Sequence, residues 1–384
     1  MVRIDYSTGI PLANYKLFEP LKIDDQLTLK NRVVMGPLTR ARSDKDHVPN
    51  ALNQEYYEQR AGAGLIISEA TAICDQGFGW HGAPALYNDV HCSGWKPVIE
   101  RVHQQGGAIF MQMWHMGRQA HSSFNSKGEI VSASGLRFEH GHDKHTRNVH
   151  GEPTPYETPR ALDTHEIADI VETYRRSAQL AKEAGFDGVE IHSANGYLID
   201  EFLQSCTNQR TDKYGGSFEN RSRFLLEVID ALKTVYPASR IACRLSPNGS
   251  YGGMGSSDNY EMFTYLMRRL RGQDLAYVAI LDGFGFGYHD SGRLVTAFDA
   301  KEAFRGRVLA CNSYTRDTAE GALRTGSADM VAFGRWWISN PDLVDRFRHD
   351  WPLNADADRS VYWDATKKAT GYTDFPRHSD VVSK

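Results

Sequence analysis

The sequence predicts an α/β fold, a (β/α)8 TIM barrel, and three observations predict it. Short, continuously apolar runs rich in β-branched residues recur eight times, the pattern of strands buried on both faces in a parallel sheet. Amphipathic stretches of helical period fall between them. No GxGxxG follows the first run, so the usual mark of an open doubly wound sheet is missing and closure is favoured.

The first element, residues 18–30, alternates apolar and polar residues around Asp24-Asp25 and predicts a hairpin lid at the barrel bottom. Strands are predicted over 33–39, 64–71, 108–115, 188–194, 240–246, 275–282, 308–313 and 330–335. Helices are predicted over 50–62, 90–106, 165–185, 218–236, 258–271, 297–304 and 315–325. Asp163-Thr164 supplies a start signal for one helix, and Gly185, Gly272 and Gly326 supply stops for others. About 70 residues separate the third strand from the fourth, far more than a βα unit needs. That Pro- and His-rich stretch predicts an excursion, about 116–160, capping the barrel mouth. Its His140, His142, His145 and His150 are irregularly spaced in polar surroundings and read as a solvated loop, not a metal site. Gly283-Phe284-Gly285-Phe286-Gly287 has the wrong spacing for a dinucleotide fingerprint and reads as a flexible loop. The chain, 1–384, is expected to form one barrel domain with its core over about 17–350, followed by a C-terminal segment, 351–384.

Composition narrows the function classes. With Lys+Arg 44 against Asp+Glu 48 the net charge is -4, which is not the electrostatic footprint of a nucleic-acid binder. No segment reaches the roughly 18 uninterrupted apolar residues of a membrane span, and the N-terminus lacks a basic region followed by an apolar one. Cys74, Cys92, Cys206, Cys243 and Cys311 are scattered, odd in number and form no CxxC pair. These features predict a soluble protein of a reducing compartment, the cytoplasm, with neither nucleic acid nor membrane as a partner; the expected small-molecule partner and a monomeric or homodimeric state are not read from them.

In a barrel of this kind chemistry sits at the C-terminal ends of the strands. There the first strand carries Thr39, the third Gln112 and Trp114, the fourth His192 with Asn195 and Tyr197 just beyond, and the fifth Arg244. A cation, two amides, an imidazole and a phenol are costly to bury in one mouth without a ligand, so a bound polar cofactor is expected. Taken singly, Gln112 could satisfy loop carbonyls, Arg244 could pair with Glu190 and Tyr197 could be amphipathic core. The seventh strand ends in Asn312-Ser313 ahead of a helix and the eighth in Gly334-Arg335, the positions where these barrels commonly bind phosphate.

His192-Ser193-Ala194-Asn195-Gly196-Tyr197-Leu198-Ile199-Asp200-Glu201-Phe202-Leu203, followed by Asn208-Gln209-Arg210-Thr211-Asp212-Lys213-Tyr214-Gly215-Gly216-Ser217, resembles the signature of the old yellow enzyme family of flavin-dependent ene-reductases, with its plant oxophytodienoate reductase branch. Pro37-Leu38-Thr39-Arg40, Gln112-Met113-Trp114, Phe333-Gly334-Arg335 and Gly371-Tyr372-Thr373-Asp374 extend the resemblance from about Leu17 to Pro376. The resemblance implies a non-covalent FMN, reduced by NADPH or NADH and reoxidised by an electrophilic alkene conjugated to a carbonyl or nitro group. It implies that Thr39 lies at the flavin O4 region, Gln112 at the pyrimidine edge and Arg244 by N1 and O2. Pro37, Leu38 and Ala70 would pack near the ring, and Asn312, Ser313, Gly334 and Arg335 would hold the phosphate. His192 and Asn195 would bind the substrate oxygen, Tyr197 would deliver a proton, and Trp114 and Tyr362 would line the substrate channel. A flavoprotein that binds phenolic ligands, or reduces mainly quinones or nitro compounds, is the alternative.

Three stretches depart from the family pattern. Ala310-Cys311-Asn312-Ser313 stands where many relatives have a Gly pair, so backbone amides must serve the phosphate. Leu281-Asp282-Gly283, with Phe284 and Phe286 next, replaces a Glu-Pro-Arg-like ending, and Gly77-Phe78-Gly79-Trp80-His81-Gly82-Ala83-Pro84 follows strand two. The last two border the substrate mouth.

Overall fold

The computed structural model describes residues 9–138, 145–283 and 287–382. Eight parallel strands close into a barrel: β1 (Val33–Met35), β2 (Leu65–Ile67), β3 (Ile109–Trp114), β4 (Gly188–His192), β5 (Ile241–Leu245), β6 (Tyr277–Leu281), β7 (Val308–Cys311) and β8 (Met330–Phe333). They pair in order, β8 pairs with β1, and β3 pairs with β4, so no edge is left open. Around them lie α1 (Ala51–Gln59), α2 (Asp89–Gln104), α3 (Thr164–Ala184), α4 (Phe218–Lys233), α5 (Asn259–Leu270), α6 (Ala297–Phe304) and α7 (Arg316–Arg324). The predicted barrel is therefore the observed one.

Strand runs are shorter than their apolar stretches because the apolar residues continue into the loops. Pro37, which has no N–H, follows closely on β1, and the second run breaks at Ser68-Glu69-Ala70 before Thr71–Ala72 pairs again with β3. Alternate residues divide the core as a barrel requires. Val34, Leu65, Ile67, Phe110, Ala242, Tyr277 and Leu309 fill the interior, while Val33, Ile66, Met111, Val189 and Ile241 face the helices. Start and stop chemistry sets the helix limits: Asn50, Asn88, Ser217, Thr296 and Thr315 each accept a first-turn N–H, and Gly185 ends α3 in the left-handed region, φ 103.

The predicted hairpin is present, Leu21–Lys22 antiparallel to Thr28–Leu29. It plugs the N-terminal end of the barrel: Ile23 and Leu29 join the interior cluster, and Asp24 Oδ2 accepts from Arg240 Nε at 2.6 Å and from the Ser239 hydroxyl at 2.8 Å.

Three features of the chain were not anticipated. A short helix, Leu198–Leu203, follows the fourth strand, and two more, Arg335–Ser339 and Leu343–His349, follow the eighth. The Pro- and His-rich excursion carries a parallel pair, Val131–Ser132 with Arg160–Ala161, and a hairpin, His145–Arg147 with Pro153–Pro155. These strands are too short to show a period, so the sequence did not announce them. Of the histidine group, His140 and His142 lie outside the described residues, as do Phe284 and Phe286 of the glycine-rich loop; His150 is exposed. Among the described residues no group of three or more His, Cys, Asp or Glu is placed to hold a metal, all five cysteines are free, and no helix is long and apolar enough to cross a membrane.

Candidate active site

Strand parity brings the polar residues together. Gln112 and Trp114 on β3, Glu190 and His192 on β4, and Arg244 on β5 share the inward parity, and the register sets Glu190 beside Gln112 and His192 beside Arg244. His192 is 5% exposed and Tyr197 8%. The two rings meet edge to face with centroids 4.8 Å apart, and Tyr197 meets Trp114 in the same way at 5.3 Å. Asn195 sits between them in sequence, in the left-handed region at φ 59, a conformation Asn tolerates better than most residues.

The turn carrying Asn195 is held by four hydrogen bonds from three side chains. Its N–H donates to the Ser246 hydroxyl at 2.7 Å. Gln119 Nε2, from the excursion, donates to the carbonyls of Asn195 at 2.9 Å and Gly196 at 2.8 Å. The Gly196 N–H donates to Asp200 Oδ2 at 2.9 Å. Gly196 itself must lack a side chain, since it has φ +70 and a Cβ would lie 2.9 Å from Gly252 Cα.

Burial controls the protonation of both rings. Desolvation first, and the Arg244 charge second, hold the His192 imidazole well below its usual pKa, so it is neutral. Burial, with the neighbouring Tyr251 and Tyr156 phenols, lifts Tyr197 above the ordinary phenol value and keeps its proton on at neutral pH. His192 Nδ1, Trp114 Nε1 and Arg244 Nε and Nη1 are buried with no protein partner. Each such atom costs about 1–3 kcal/mol unless a ligand meets it, so the mouth is built for a polar guest.

The other expected residues are distributed around this centre. Pro37, Leu38 and Thr39 are half-buried just past β1, and Ala70 is buried beside the second strand's break. Leu38 lies 3.4 Å from the point where a Cβ on Gly334 would be, so the first and eighth strand ends touch. Asn312 and Ser313 are successive residues at φ 83 and 67, and Asn312 donates its side-chain amide to the Gly283 carbonyl at 2.9 Å. That side chain is thus used within the fold, leaving backbone amides for a ligand. Tyr362 is half-buried and held by its carbonyl, which accepts from Arg40 Nε at 3.1 Å; its ring meets Trp363, and Trp363 meets Trp80 of the loop after the second strand.

Gln112 does not serve loop carbonyls, the role its residue type alone allows, because its Nε2 donates to Glu190 Oε1 at 2.8 Å. Sequence reasoning missed Tyr277, whose hydroxyl donates to Glu190 Oε2 at 2.9 Å, and its inward parity on β6 was the available signal. It also missed Gln119, Ser246 and Asp200 as supports of the Asn195 turn. Gln119 lies in a stretch without period and offered no signal.

This geometry has relatives. Residues 16–354 match the family described as NADH:flavin oxidoreductase / NADH oxidase. The chain is 39% identical over 381 residues to a putative 12-oxophytodienoate reductase 2 of Oryza sativa subsp. japonica, covering 98% of this chain and 96% of that one. It is 37% identical to a probable flavin mononucleotide-dependent alkene reductase of Leishmania infantum, covering 94% of this chain and 97% of that one. Among solved structures, morphinone reductase in complex with tetrahydroNAD superposes with a TM-score of 0.87 at 42% identity, over 95% of this chain and 98% of that one. The old yellow enzyme homologue from Zymomonas mobilis gives a TM-score of 0.87 at 40% identity, over 94% and 99%. A barrel mouth carrying this polar set, matched along nearly its whole length by such relatives, places the chain in the NADH:flavin oxidoreductase family, the old yellow enzymes.

Proposed function

We propose that the protein is an FMN-dependent ene-reductase that uses NADPH or NADH to reduce the C=C bond of α,β-unsaturated carbonyl or nitro compounds, taking reductant and alkene in turn. The observation that carries the proposal is the convergence of a neutral imidazole, an amide and a protonated phenol beside a guanidinium with two unpartnered buried nitrogens. Those nitrogens, Arg244 Nε and Nη1, fit the electron-rich pyrimidine end of a flavin, with Gln112 alongside. Pro37, Leu38, Thr39 and Ala70 would flank the ring. The two left-handed residues Asn312 and Ser313, with Gly334 and Arg335, would take the phosphate through backbone N–H groups and charge. FMN bound there supplies the hydride that the nicotinamide gives and the β-carbon of the alkene receives.

The chain's own residues do the rest. His192 and Asn195 hold the carbonyl or nitro oxygen, where negative charge grows as the β-carbon is reduced, and donors fixed beforehand lower that barrier. Tyr197 gives its proton to the α-carbon and recovers one from solvent, so the alkene gains one hydride and one proton. Trp114 and Tyr362 border the channel. A protein that only stored flavin or bound phenols would need no buried, protonated phenol at this point.

The test is an absorbance spectrum of protein loaded with FMN, followed anaerobically on adding NADPH and then cyclohexenone. Flavin bands that bleach and then return are the expected result. A protein that cannot be loaded with FMN, or one that reduces but is not reoxidised by the enone, overturns the proposal.

A further inference from the structure

Below the mouth, three strands turn polar side chains onto one point. Glu190 is fully buried. Its Oε1 accepts from Gln112 Nε2 at 2.8 Å and its Oε2 from the Tyr277 hydroxyl at 2.9 Å. In the β4–β5 register Arg244 pairs with His192, two residues along from Glu190, so both side chains project into the interior in adjacent layers. Burial pushes the Glu190 carboxyl up, and the Arg244 charge is the strongest influence opposing it. The proposed chemistry gives Glu190 no direct part, and a buried carboxylate is a costly filler where apolar residues of similar volume would pack.

We propose that Glu190 is a positioning residue for the pyrimidine end of the flavin site, fixing the orientation of the Gln112 amide and offsetting part of the Arg244 charge. This rests on the FMN reading above. The first half follows from the geometry: both Glu190 oxygens accept, one from the Gln112 amide and one from the Tyr277 hydroxyl, so the Gln112 atom facing the carboxyl is the amide nitrogen. The Gln112 oxygen is then the end left for a ring N–H. The second half is electrostatic. A carboxylate beside the guanidinium reduces the positive charge that a reduced, negatively charged flavin would meet, so the bound flavin has a lower potential and is a stronger hydride donor than Arg244 alone would make it.

The test uses Glu190→Gln loaded with FMN, which keeps the shape and a hydrogen-bonding partner for Gln112 and Tyr277 while removing the charge. Its midpoint potential is expected to rise by at least a tenfold change in the reduced-to-oxidised ratio, about 30 mV for a two-electron couple. Glu190→Asp keeps the charge but withdraws from Gln112; it is expected to weaken FMN binding at least fivefold, read by fluorescence quenching, with a potential close to that of the unaltered protein. A folded Glu190→Gln with unchanged potential, or a folded Glu190→Asp with unchanged FMN affinity, overturns the proposal. Failure of the unaltered protein to bind FMN would overturn the flavin reading instead.

Discussion

At the scale of single residues, burial sets the protonation state of the two rings in the mouth. His192 and Tyr197 are in contact, yet burial moves them in opposite directions, the imidazole down and the phenol up, because in each case it disfavours the charged form. Both are therefore neutral donors at pH 7. Replacing Tyr197 with Phe removes the proton and little volume, so flavin reduction by NADPH is expected to stay within about twofold while reoxidation by cyclohexenone slows by about 10²–10⁴, the usual worth of a general acid. Stopped-flow absorbance measures the two half-reactions separately; equal loss in both would remove the acid role. Arg244→Met removes the positive charge that the pyrimidine end of the proposed flavin would meet. It is expected to weaken FMN binding by at least tenfold in a fluorescence-quenching titration, and an unchanged affinity would contradict the assignment.

At the scale of elements, the short helix Leu198–Leu203 decides how the excursion is joined to the barrel. It carries two successive buried carboxyls. Asp200 fixes the Asn195 turn through Gly196, while Glu201 accepts from the Arg118 N–H at 2.8 Å and the Ser132 hydroxyl at 2.6 Å, both in the excursion. Gly117 must be glycine here, because it has φ +58 and a Cβ would fall 2.3 Å from Glu201 Oε1. Burial pushes the Glu201 carboxyl up to about 7, from 4.5, and Asp200 up to about 6. A raised carboxyl pKa means the folded chain keeps a proton that the unfolded chain releases, so stability is full at low pH and is lost as pH rises through about 4.5 to 7. At 1.36 kcal/mol per unit, Glu201 accounts for about 3 kcal/mol of that loss. Glu201→Gln, which cannot ionise, is expected to lose about 2–3 kcal/mol less than the unaltered protein between pH 5 and pH 8 in urea unfolding. Parallel pH curves for the two proteins would refute it.

At the scale of the whole molecule, the C-terminal segment is tied to the first strand's end by two arginines. Arg40, fully buried, donates to the carbonyls of Tyr362, Val361 and Gly371 at 3.1, 3.3 and 2.7 Å, and to the Tyr56 hydroxyl. Arg42 donates to Lys368 and again to Val361. Residues 361–371 thus owe their position to side chains just after Thr39, so the Thr39 stretch and Tyr362 are built as one unit. Arg40→Met strips donors from three carbonyls and is expected to cost about 3 kcal/mol. It should also open the exposed Arg359, Lys367 and Lys368 to trypsin, read as an earlier appearance of C-terminal fragments by mass spectrometry. Unaltered Tm and cleavage would show that the segment is held by other contacts.

How much of this was legible in the sequence depends on the distance over which each feature is encoded. The barrel was legible because strand burial and helix amphipathicity are periods of 2 and 3.6 that repeat within a few residues, and eight repetitions leave few alternatives. His192, Asn195 and Tyr197 were legible because they lie within six residues of one another just past a strand. The Glu190 group was only half visible: Gln112, Tyr277 and Arg244 share inward parity, but the choice of Glu190 as the acceptor of both the amide and the phenol depends on register between strands, which no local pattern encodes. The Gln119 contact with the Asn195 turn and the Arg40 clamp on residues 361–371 join segments from 76 to more than 300 positions apart, and the excursion's strands are too short to show a period. By itself the sequence determined which residues could form strands, helices and a polar mouth, because those properties follow from side chains and their immediate neighbours. Tertiary structure alone decided which donor meets which acceptor and which buried groups are left for a ligand, because only closure of the barrel brings distant side chains within hydrogen-bonding distance and removes the water that would otherwise satisfy them.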